Sequence, residues 1–315
     1  MRRLFEVLIA GSAFGLLVAS LVLLPGFSFP LIEVFANLRP HMLAAAAAVL
    51  VVALVLHRPS AVMALIALVA LTPATLPYLL TGSVNTVDPD SRQVSVLQFN
   101  TLYSNDDIDA MVEEILESDA DIVALHEMTD ERWRLISPQI ESTYPYDLNG
   151  LDLPLEDARG FASMLLSRSP IREAALPETD ISPVAGLTMI DDQEVLVIAL
   201  HPSPSRTNAV RIAQRRELLS SSRRLTERHD GPAIIATDLN ITPTSPDYQD
   251  FVEALGWPDP RRQLGITPTF PAGPLNVLGI AIDHVFASPE FTIVDYELGS
   301  GGGSDHRSLL ARLAL

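Results

Sequence analysis

Three long apolar segments within the first 80 residues are the feature that most limits the folds open to this chain of 315 residues. They cover residues 4–24, 42–56 and 61–80, and a membrane-spanning helix needs about 20 apolar residues. The middle segment is short, so we expect a tilted helix packed on its neighbours or an extension back toward Asn37. The first segment also resembles a signal peptide, but no convincing cleavage site follows it. The sequence therefore predicts a membrane anchor of about three transmembrane helices over residues 1–81.

The arginines around these segments predict how the chain is oriented. Arg2 and Arg3 precede the first segment, and Arg58 lies in the short turn between the second and the third. Positive residues favour the cytoplasmic side, although Arg39 in the opposite loop runs against the rule. The chain would then leave the third helix on the outer side. We expect a multi-pass protein of the cell membrane, with the lipid bilayer as a partner and residues 82–315 on the extracytoplasmic side.

The rest of the chain is strongly acidic. Residues 1–81 hold 4 of the 21 basic and 2 of the 39 acidic residues, which leaves 17 basic and 37 acidic residues and a net charge of −20. Nucleic-acid-binding domains usually present a basic surface, because neutralisation of phosphates supplies much of their affinity. High-affinity nucleic-acid binding is therefore not expected, although cleavage of short nucleic acids stays open. The chain has no cysteine, which excludes thiolate ligands and nucleophiles.

The sequence pattern changes after residues 82–92, GSVNTVDPDSR, which are rich in turn-forming residues and are predicted to be a linker. Short apolar runs typical of strands then alternate with a few helical segments. One helix is expected to begin after Asn105 as its capping residue, and a longer one covers about residues 208–229. Several strands and few helices in mixed order predict an α/β fold over residues 93–315, with two packed sheets and helices outside them.

A polar residue follows or ends most of the apolar runs. If the strands share one core, their ends meet at one rim, which is where functional sites collect. Carboxylate and amide oxygens suit Mg²⁺ or Mn²⁺, and imidazole beside a carboxylate suits proton transfer. Each residue alone has an ordinary explanation as solvated surface or as a local turn. The set consists of Asn100, Glu127, His201, Asp238, Asn240, Asp283, His284, Asp305 and His306.

The order of these motifs resembles the endonuclease/exonuclease/phosphatase superfamily, the fold of DNase I, and the three apolar segments ahead of them resemble its membrane-anchored bacterial branch. Thr237 replaces the glycine common before Asp238, His126 replaces a glutamine, and Phe270 replaces a tryptophan. The resemblance implies a DNase I-like four-layer α/β sandwich. The matching segments, in family order over about residues 93–315, are LQFNT, DIVALHE, GFASMLLSRSPI, IALHPSP, ATDLN, IDHVFAS and GSDHRSLLARL.

The resemblance also implies a metal-dependent phosphoester hydrolase that uses an activated water. By resemblance, Glu127 binds Mg²⁺ (or Mn²⁺), and Asn100 and Asp305 lie in its coordination shell or close to it. The metal would neutralise charge on the phosphoryl group in the transition state. The remaining predicted site residues would be catalytic: Asp238 for the water, Asn240 for the water or the phosphate, His201 and His306 for the phosphoryl group, and Asp283 as the carboxylate that holds His306.

The substrate is a phosphoester whose class stays open, so a phosphodiesterase, a nuclease and a phosphatase are all possible. The alternative is a noncatalytic membrane protein that reuses the fold as a binding module. No protein partner is predicted. The glycines before Asp305, which are Gly299 and Gly301 to Gly303, are expected to let their loop pass close to phosphate and metal. A merely flexible loop before the last strand is the other interpretation.

Overall fold

The computed structural model describes residues 2–24, 30–80, 92–152, 161–175, 183–202, 209–274 and 276–315. All of the predicted linker except Arg92 lies outside the described residues, and the division into anchor, linker and catalytic domain stays a prediction. Three of the first four helices are long and apolar enough to cross a membrane, namely the first, third and fourth. The four are α1 (Arg2–Leu23), α2 (Pro30–Asn37), α3 (Arg39–Leu56) and α4 (Arg58–Leu79).

The middle apolar helix begins at Arg39, so the expected extension toward Asn37 is confirmed. The short helix α2 lies between the first two long helices, and the sequence analysis did not predict it. Its eight residues are too few for a membrane span, and a glutamate, Glu33, lies within its first turn.

Within the described residues, the α/β part contains a sheet of six strands and a sheet of five. The first sheet has the order β10-β11-β1-β2-β4-β3, and the second has the order β5-β6-β7-β8-β9. The first-sheet strands are β1 (Gln93–Asn100), β2 (Ile122–Thr129), β3 (Tyr146–Asn149), β4 (Phe161–Ser167), β10 (Thr292–Leu298) and β11 (Leu309–Ala314). The second-sheet strands are β5 (Ile171–Glu173), β6 (Val184–Ile190), β7 (Gln193–Leu200), β8 (Ala233–Asp238) and β9 (Asp283–Ala287).

Four helices of the described residues, α5 to α8, cover the outer faces of the two sheets, and the short α9 packs on the central core through Leu264. The central core lies between the sheets and joins apolar side chains of β1, β2 and β11 to those of β7, β8 and β9. A second core lies under α5 and α6, and a third lies under α7 and α8. The predicted DNase I-like four-layer α/β sandwich is therefore confirmed. The helices are α5 (Ile108–Glu117), α6 (Asp130–Ile140), α7 (Ala209–Arg228), α8 (Pro246–Leu255) and α9 (Pro260–Leu264).

The strand directions gather the predicted site residues at one end of the sandwich. Strands β1 and β2 are parallel neighbours in one sheet, and β7 and β8 are parallel neighbours in the other. Their carboxyl ends point the same way in each pair. Strand β9 is antiparallel to β8, and β11 is antiparallel to β1, so the starts of β9 and β11 lie at those same ends.

Two local expectations need correction. Asp107, rather than Asn105, caps α5, because its side chain accepts a hydrogen bond from the Ala110 N–H at 3.1 Å. Asn105 instead donates to the carbonyl oxygen of Gly302 at 2.9 Å and so ties the glycine run to this helix start.

The glycine run forms a tight turn packed against the protein itself. Gly301, Gly302 and Gly303 all have φ between 50° and 95°, a region that other residues rarely adopt. A Cβ atom at Gly301 would lie 2.2 Å from the carbonyl oxygen of His306, and one at Gly302 would lie 2.9 Å from that of Ala110. The close contacts are therefore with α5 and the neighbouring loop, whereas the sequence analysis expected them with phosphate and metal. The turn sets the direction in which Asp305 and His306 leave it.

Candidate active site

The structure brings all eight predicted site residues to the same end of the sandwich. Asn100, His201 and Asp238 end or directly follow central strands, and Glu127 lies near the end of β2. Asn240 follows β8, and Asp283 opens β9. Asp305 and His306 lie between the glycine turn and β11. His284, the ninth strand-end residue, is buried and points into the protein, where Arg261 and the Ile241 carbonyl contact its ring nitrogens.

Glu127 lies on an irregular stretch of β2. The pairing of β2 with β4 shifts register between Leu125 and Met128, and Glu127 has a φ of 58°. Such a bulge redirects a side chain, and its strain persists only where neighbours hold the backbone. The buried guanidinium of Arg132 donates to the Glu127 carbonyl oxygen. The Glu127 carboxylate accepts a hydrogen bond from the Tyr103 N–H at 2.9 Å, and 12% of its side chain stays exposed.

Asp238 is fully buried at the end of β8 and is held by two neighbours. Its Oδ2 accepts a hydrogen bond from Asn100 Nδ2 at 2.9 Å, and its Oδ1 accepts one from the Asn240 N–H at 2.8 Å. Burial alone would raise the pKa of Asp238, but His306 and His201, together with the hydrogen bond from Asn100, lower it below its usual range. Asp238 is therefore an ionised acceptor at neutral pH.

His201 lies between the two carboxylates. Its Nε2 is 3.6 Å from Glu127 Oε1 and 3.5 Å from Asp238 Oδ2. Asn240 Nδ2 lies 3.3 Å from the same nitrogen and donates to the Pro202 carbonyl oxygen at 3.2 Å. Asn240 adopts a φ of 55°, so a second site residue lies in the left-handed region. These contacts fix the imidazole and the amide relative to each other.

His306 is held by Asp283, as the sequence analysis expected of this pair. Its Nδ1 lies 3.0 Å from Asp283 Oδ2, and Gln98 Nε2 donates to Asp283 Oδ1 at 2.9 Å. Burial alone would lower the pKa of His306, but the negative charges of Asp283 and Asp238 raise it to about 10. The imidazole is thus protonated at neutral pH. Its Nε2 makes no hydrogen bond to the described residues, which leaves an N–H donor for a substrate oxygen.

The oxygen atoms of Glu127, Asn100 and Asp305 are ligands of the type that Mg²⁺ prefers. Asn100 Oδ1 accepts one hydrogen bond, from the Leu102 N–H at 2.9 Å, and a carbonyl oxygen keeps a second lone pair for a cation. Partial burial raises the pKa of Asp305; His306 opposes this shift, and the negative charge of Glu127 adds to it. Close negative charges of this kind are what a divalent cation neutralises, so these residues fit Mg²⁺.

The described residues contain another group whose potential ligand atoms are close together. One atom each from Asp238, Asp283 and His306 lie within 4.8 Å of one another. A histidine must be neutral to bind a metal, whereas the two acids keep His306 protonated. This cluster is therefore better suited to holding a proton than to holding a cation.

The sequence analysis missed several residues that support the site. Gln98 lies two residues before Asn100, on the same face of β1, and this spacing of two polar residues in an apolar strand was a usable signal. His126 is buried, lies 2.9 Å from Ser163 Oγ through Nδ1, and stacks on His201 with ring centroids 5.8 Å apart. Burial lowers its pKa to about 3, so it is neutral. The Phe270 ring lies 5.0 Å from that of His306.

Comparison with known proteins identifies the family. The model of the Endonuclease/Exonuclease/phosphatase family matches residues 97–306. The chain therefore belongs to the endonuclease/exonuclease/phosphatase family, as the order of its motifs predicted. A search of curated proteins found no significant match.

Solved structures share the fold at low sequence identity. A mannosyl-6-phosphatase from Bacteroides thetaiotaomicron is 16% identical, with a TM-score of 0.57 over 70% of this chain and 100% of its own. Sphingomyelinase C from Streptomyces griseocarneus is 15% identical, with a TM-score of 0.52 over 70% and 99%. A beta toxin from Staphylococcus aureus with bound magnesium ions is 15% identical, with a TM-score of 0.50 over 70% and 99%.

Proposed function

We propose that this protein is a membrane-anchored, divalent-metal-dependent phosphoester hydrolase that uses an activated water. The observation that carries the proposal is the meeting of ionised Asp238, protonated His306 and the exposed edge of Glu127 at one end of the sandwich. An anionic acceptor, a cationic donor and oxygen ligands are the groups that hydrolysis of a phosphoester needs. Membership of the family and the magnesium ions in the related beta toxin support it.

In this proposal, Glu127 holds Mg²⁺ (or Mn²⁺), with Asn100 and Asp305 as further ligands. The bound cation supplies neutralisation of charge on the phosphoryl oxygens. Asp238 accepts a hydrogen bond from the attacking water and orients it, because its pKa is too low for a strong base. The remaining groups contact the phosphoryl group: Asn240 through its amide, His201 from the side of Glu127, and His306 by donating from Nε2 while Asp283 fixes its ring.

We further propose that α1, α3 and α4 cross the cell membrane and that the catalytic part lies on the extracytoplasmic side. Their length and apolar composition support the crossing, and the arginines at the ends of the segments support the orientation. The net charge of −20 beyond residue 81 disfavours high-affinity nucleic-acid binding. A small phosphodiester, a phosphomonoester, a phospholipid headgroup or a short nucleic acid is then the substrate.

The test is hydrolysis by the full-length protein in lipid nanodiscs. Substrates are bis(p-nitrophenyl) phosphate, p-nitrophenyl phosphate, plasmid DNA and a set of phospholipids, each with Mg²⁺, with Mn²⁺ and with EDTA. Glu127→Gln and His306→Gln are compared with matched controls at exposed Glu131 and at His229, which lies at the far end of α7. Calorimetric titration with Mg²⁺ measures cation binding separately.

We expect metal-dependent turnover that Glu127→Gln lowers by about 100-fold or more, because even outer partners of metal ligands change affinity 10–100-fold. The substitution at Glu127 also weakens Mg²⁺ binding, whereas Glu131→Gln and His229→Gln leave both measurements unchanged. Absence of turnover on every substrate, together with absence of Mg²⁺ binding, would instead support a noncatalytic binding protein.

A further inference from the structure

The short helix α2 packs on the loop that continues directly from the catalytic strand β8. This β8–α8 loop, residues 239–245, runs from the residue after Asp238 to the residue before α8. Asn37, the last residue of α2, accepts hydrogen bonds through Oδ1 from the Thr242 N–H at 2.9 Å and from Thr242 Oγ1 at 3.2 Å. The preceding residue, Ala36, accepts one from Thr244 Oγ1 at 2.7 Å. Three hydrogen bonds therefore join α2 to this loop.

The sandwich holds the start of this loop, because the Leu239 N–H donates to the Ile282 carbonyl oxygen at 2.9 Å and the Ile241 carbonyl oxygen lies 3.1 Å from His284 Nε2. The contacts from α2 hold the following part, from Thr242 to Thr244.

The loop residue Asn240 is in the left-handed region, with a φ of 55°, and Thr242 follows only two residues later. Thr242 and Thr244 are buried and lie 3.0 Å apart through their hydroxyls, so Asn37 closes a small buried polar cluster. A buried backbone N–H without a partner is costly, and Asn37 is the partner of the Thr242 N–H.

A buried ion-pair cluster fixes α2 in this place. Glu33 of α2 forms two hydrogen bonds with Arg215 of α7, at 2.7 and 2.8 Å, and Arg215 also contacts Asp247 of α8 at 2.5 Å. Arg215 is fully buried, and Glu33 and Asp247 are nearly so. Removal of one partner from such a cluster leaves a buried charge poorly compensated, so displacement of α2 is strongly opposed.

The first residue of the next helix adds a contact of the same kind. Arg39 at the start of α3 is buried, and its guanidinium donates to the carbonyl oxygen of Thr244 and to that of Leu23 at 2.9 Å. The segment from Glu33 to Arg39 thus contacts the β8–α8 loop and, through Glu33, the buried ion-pair cluster of α7 and α8. This segment is covalently continuous with α1 and α3, the two apolar helices on either side of α2.

We propose that α2 completes the active site from outside the sandwich, with Asn37 as a positioning residue that holds the β8–α8 loop and thereby Asn240 and Asp238. The catalytic consequence rests on the proposed hydrolase function, whereas the holding of the loop does not. Asn37 touches neither substrate nor metal in this arrangement. It acts through the Thr242 N–H, and through that loop on the amide that faces His201.

The test uses the full-length protein in phosphatidylcholine nanodiscs and two measurements. Hydrogen–deuterium exchange reports the opening of residues 239–245 whether or not a substrate is known. Turnover of bis(p-nitrophenyl) phosphate with Mg²⁺ reports kcat and KM. The variants are Asn37→Ala, which removes the acceptor, and Asn37→Asp, which keeps it. Tyr78→Phe is the control, because Tyr78 of α4 is buried and its ring packs against Arg262 of α9, 5.7 Å from the guanidinium carbon.

We expect exchange over residues 239–245 to be about tenfold faster in Asn37→Ala, since loss of one to two hydrogen bonds changes an opening equilibrium by about that factor. The kcat falls by about tenfold, because a loop released from Asn37 misplaces the Asn240 amide, and a misplacement of about 1 Å can cost up to about 100-fold in rate. KM and the Mg²⁺ concentration for half-maximal rate stay within about twofold. Asn37→Asp restores both exchange and kcat toward those of the unchanged protein, and Tyr78→Phe alters neither.

Unchanged exchange in Asn37→Ala would overturn the proposal, and so would faster exchange with an unchanged kcat. Faster exchange across the whole protein, with a matching loss in the thermal midpoint, would reduce Asn37 to a general stabilising residue and would also overturn it. If the unchanged protein hydrolyses no substrate, the proposed function fails, and exchange in the two Asn37 variants still decides whether α2 holds the loop.

Discussion

His306 keeps its proton because two buried carboxylates, Asp283 and Asp238, lie beside it. Its pKa is about 10 in the folded protein and about 6.5 in an unfolded chain. A group whose pKa is raised by folding stabilises the folded state fully below its unfolded pKa, and this contribution is lost as pH rises through the folded value. The stabilisation by His306 is therefore complete below about pH 6.5, declines above it, and is gone above about pH 10.

This predicts that His306→Gln destabilises the protein at pH 6 far more than at pH 10. The measurement is the difference in thermal midpoint between the two proteins from pH 6 to pH 10.5, in EDTA so that no cation competes for the carboxylates. His229→Gln is the control for the loss of an imidazole outside the site. A constant difference for His306→Gln would mean that folding does not raise the pKa of His306, so that the ring would not be a cationic donor at neutral pH.

Thr237 carries a buried hydroxyl inside β8 that makes no hydrogen bond to the described residues. Valine has nearly the same shape without the hydroxyl, and a buried unsatisfied polar group costs about 1–3 kcal/mol. Thr237→Val is therefore expected to raise the thermal midpoint by about 2–4 °C, the shift that 1 kcal/mol gives in a domain of this size.

The same exchange at Thr188 is the matched control, because Thr188 Oγ1 donates to the Pro170 carbonyl oxygen at 3.0 Å and is also buried in a strand. Thr188→Val loses that hydrogen bond and lowers the midpoint. A lower midpoint at both positions would show that Thr237 has a hydrogen-bond partner after all. Thr237 replaces the family glycine next to Asp238, so Thr237→Val also tests whether this hydroxyl matters for turnover.

At the level of elements, the sequence predicted those strands and helices that a local pattern of apolar and polar residues marks. Apolar runs that end in polar residues marked β1, β2, β7 and β8, and the parallel direction of each pair explains why those residues meet. The capping of α5 was wrong by two residues, since Asn105 and Asp107 both suit a cap and only the glycine turn decides between them. The contact between Gln98 and Asp283 joins the two sheets across 185 positions, which no local pattern records.

Helix α2 is the clearest case of information that lies outside local sequence. Its eight residues contain one acid in an apolar context and look like part of a loop between two membrane segments. Helix α2 is held by the ion pair between its residue Glu33 and Arg215 of α7. These two residues are 182 positions apart in the sequence. Several arginines along one helix are typical of a solvated face, whereas Arg215 of α7 is buried in an ion-pair cluster. Both the position of α2 and the burial of Arg215 therefore depend on tertiary packing between distant elements rather than on helical propensity.

At the scale of the whole molecule, the Glu33–Arg215 pair joins the apolar helices to the α/β sandwich. Removal of one member of a buried ion pair typically costs about 3–5 kcal/mol because the other charge stays buried, whereas replacing both with apolar groups is often neutral. Glu33→Ala is therefore expected to lower the thermal midpoint strongly. The double variant Glu33→Ala with Arg215→Met should lose less than the sum of the two single changes, because it removes Glu33 together with its buried partner and leaves Asp247 paired with Arg216.

The double-mutant cycle is read in the full-length protein in nanodiscs, with Arg223→Met as the control for an arginine of α7 whose partner, Glu227, is exposed. Coupling between Glu33 and Arg215 makes the double variant more stable than the sum of the single changes, whereas Arg223→Met with Glu33→Ala is additive. Additive losses for Glu33 and Arg215 would mean that α2 does not pack on α7 in the membrane. The β8–α8 loop would then have to keep its shape without Asn37, because the same rigid helix carries both residues.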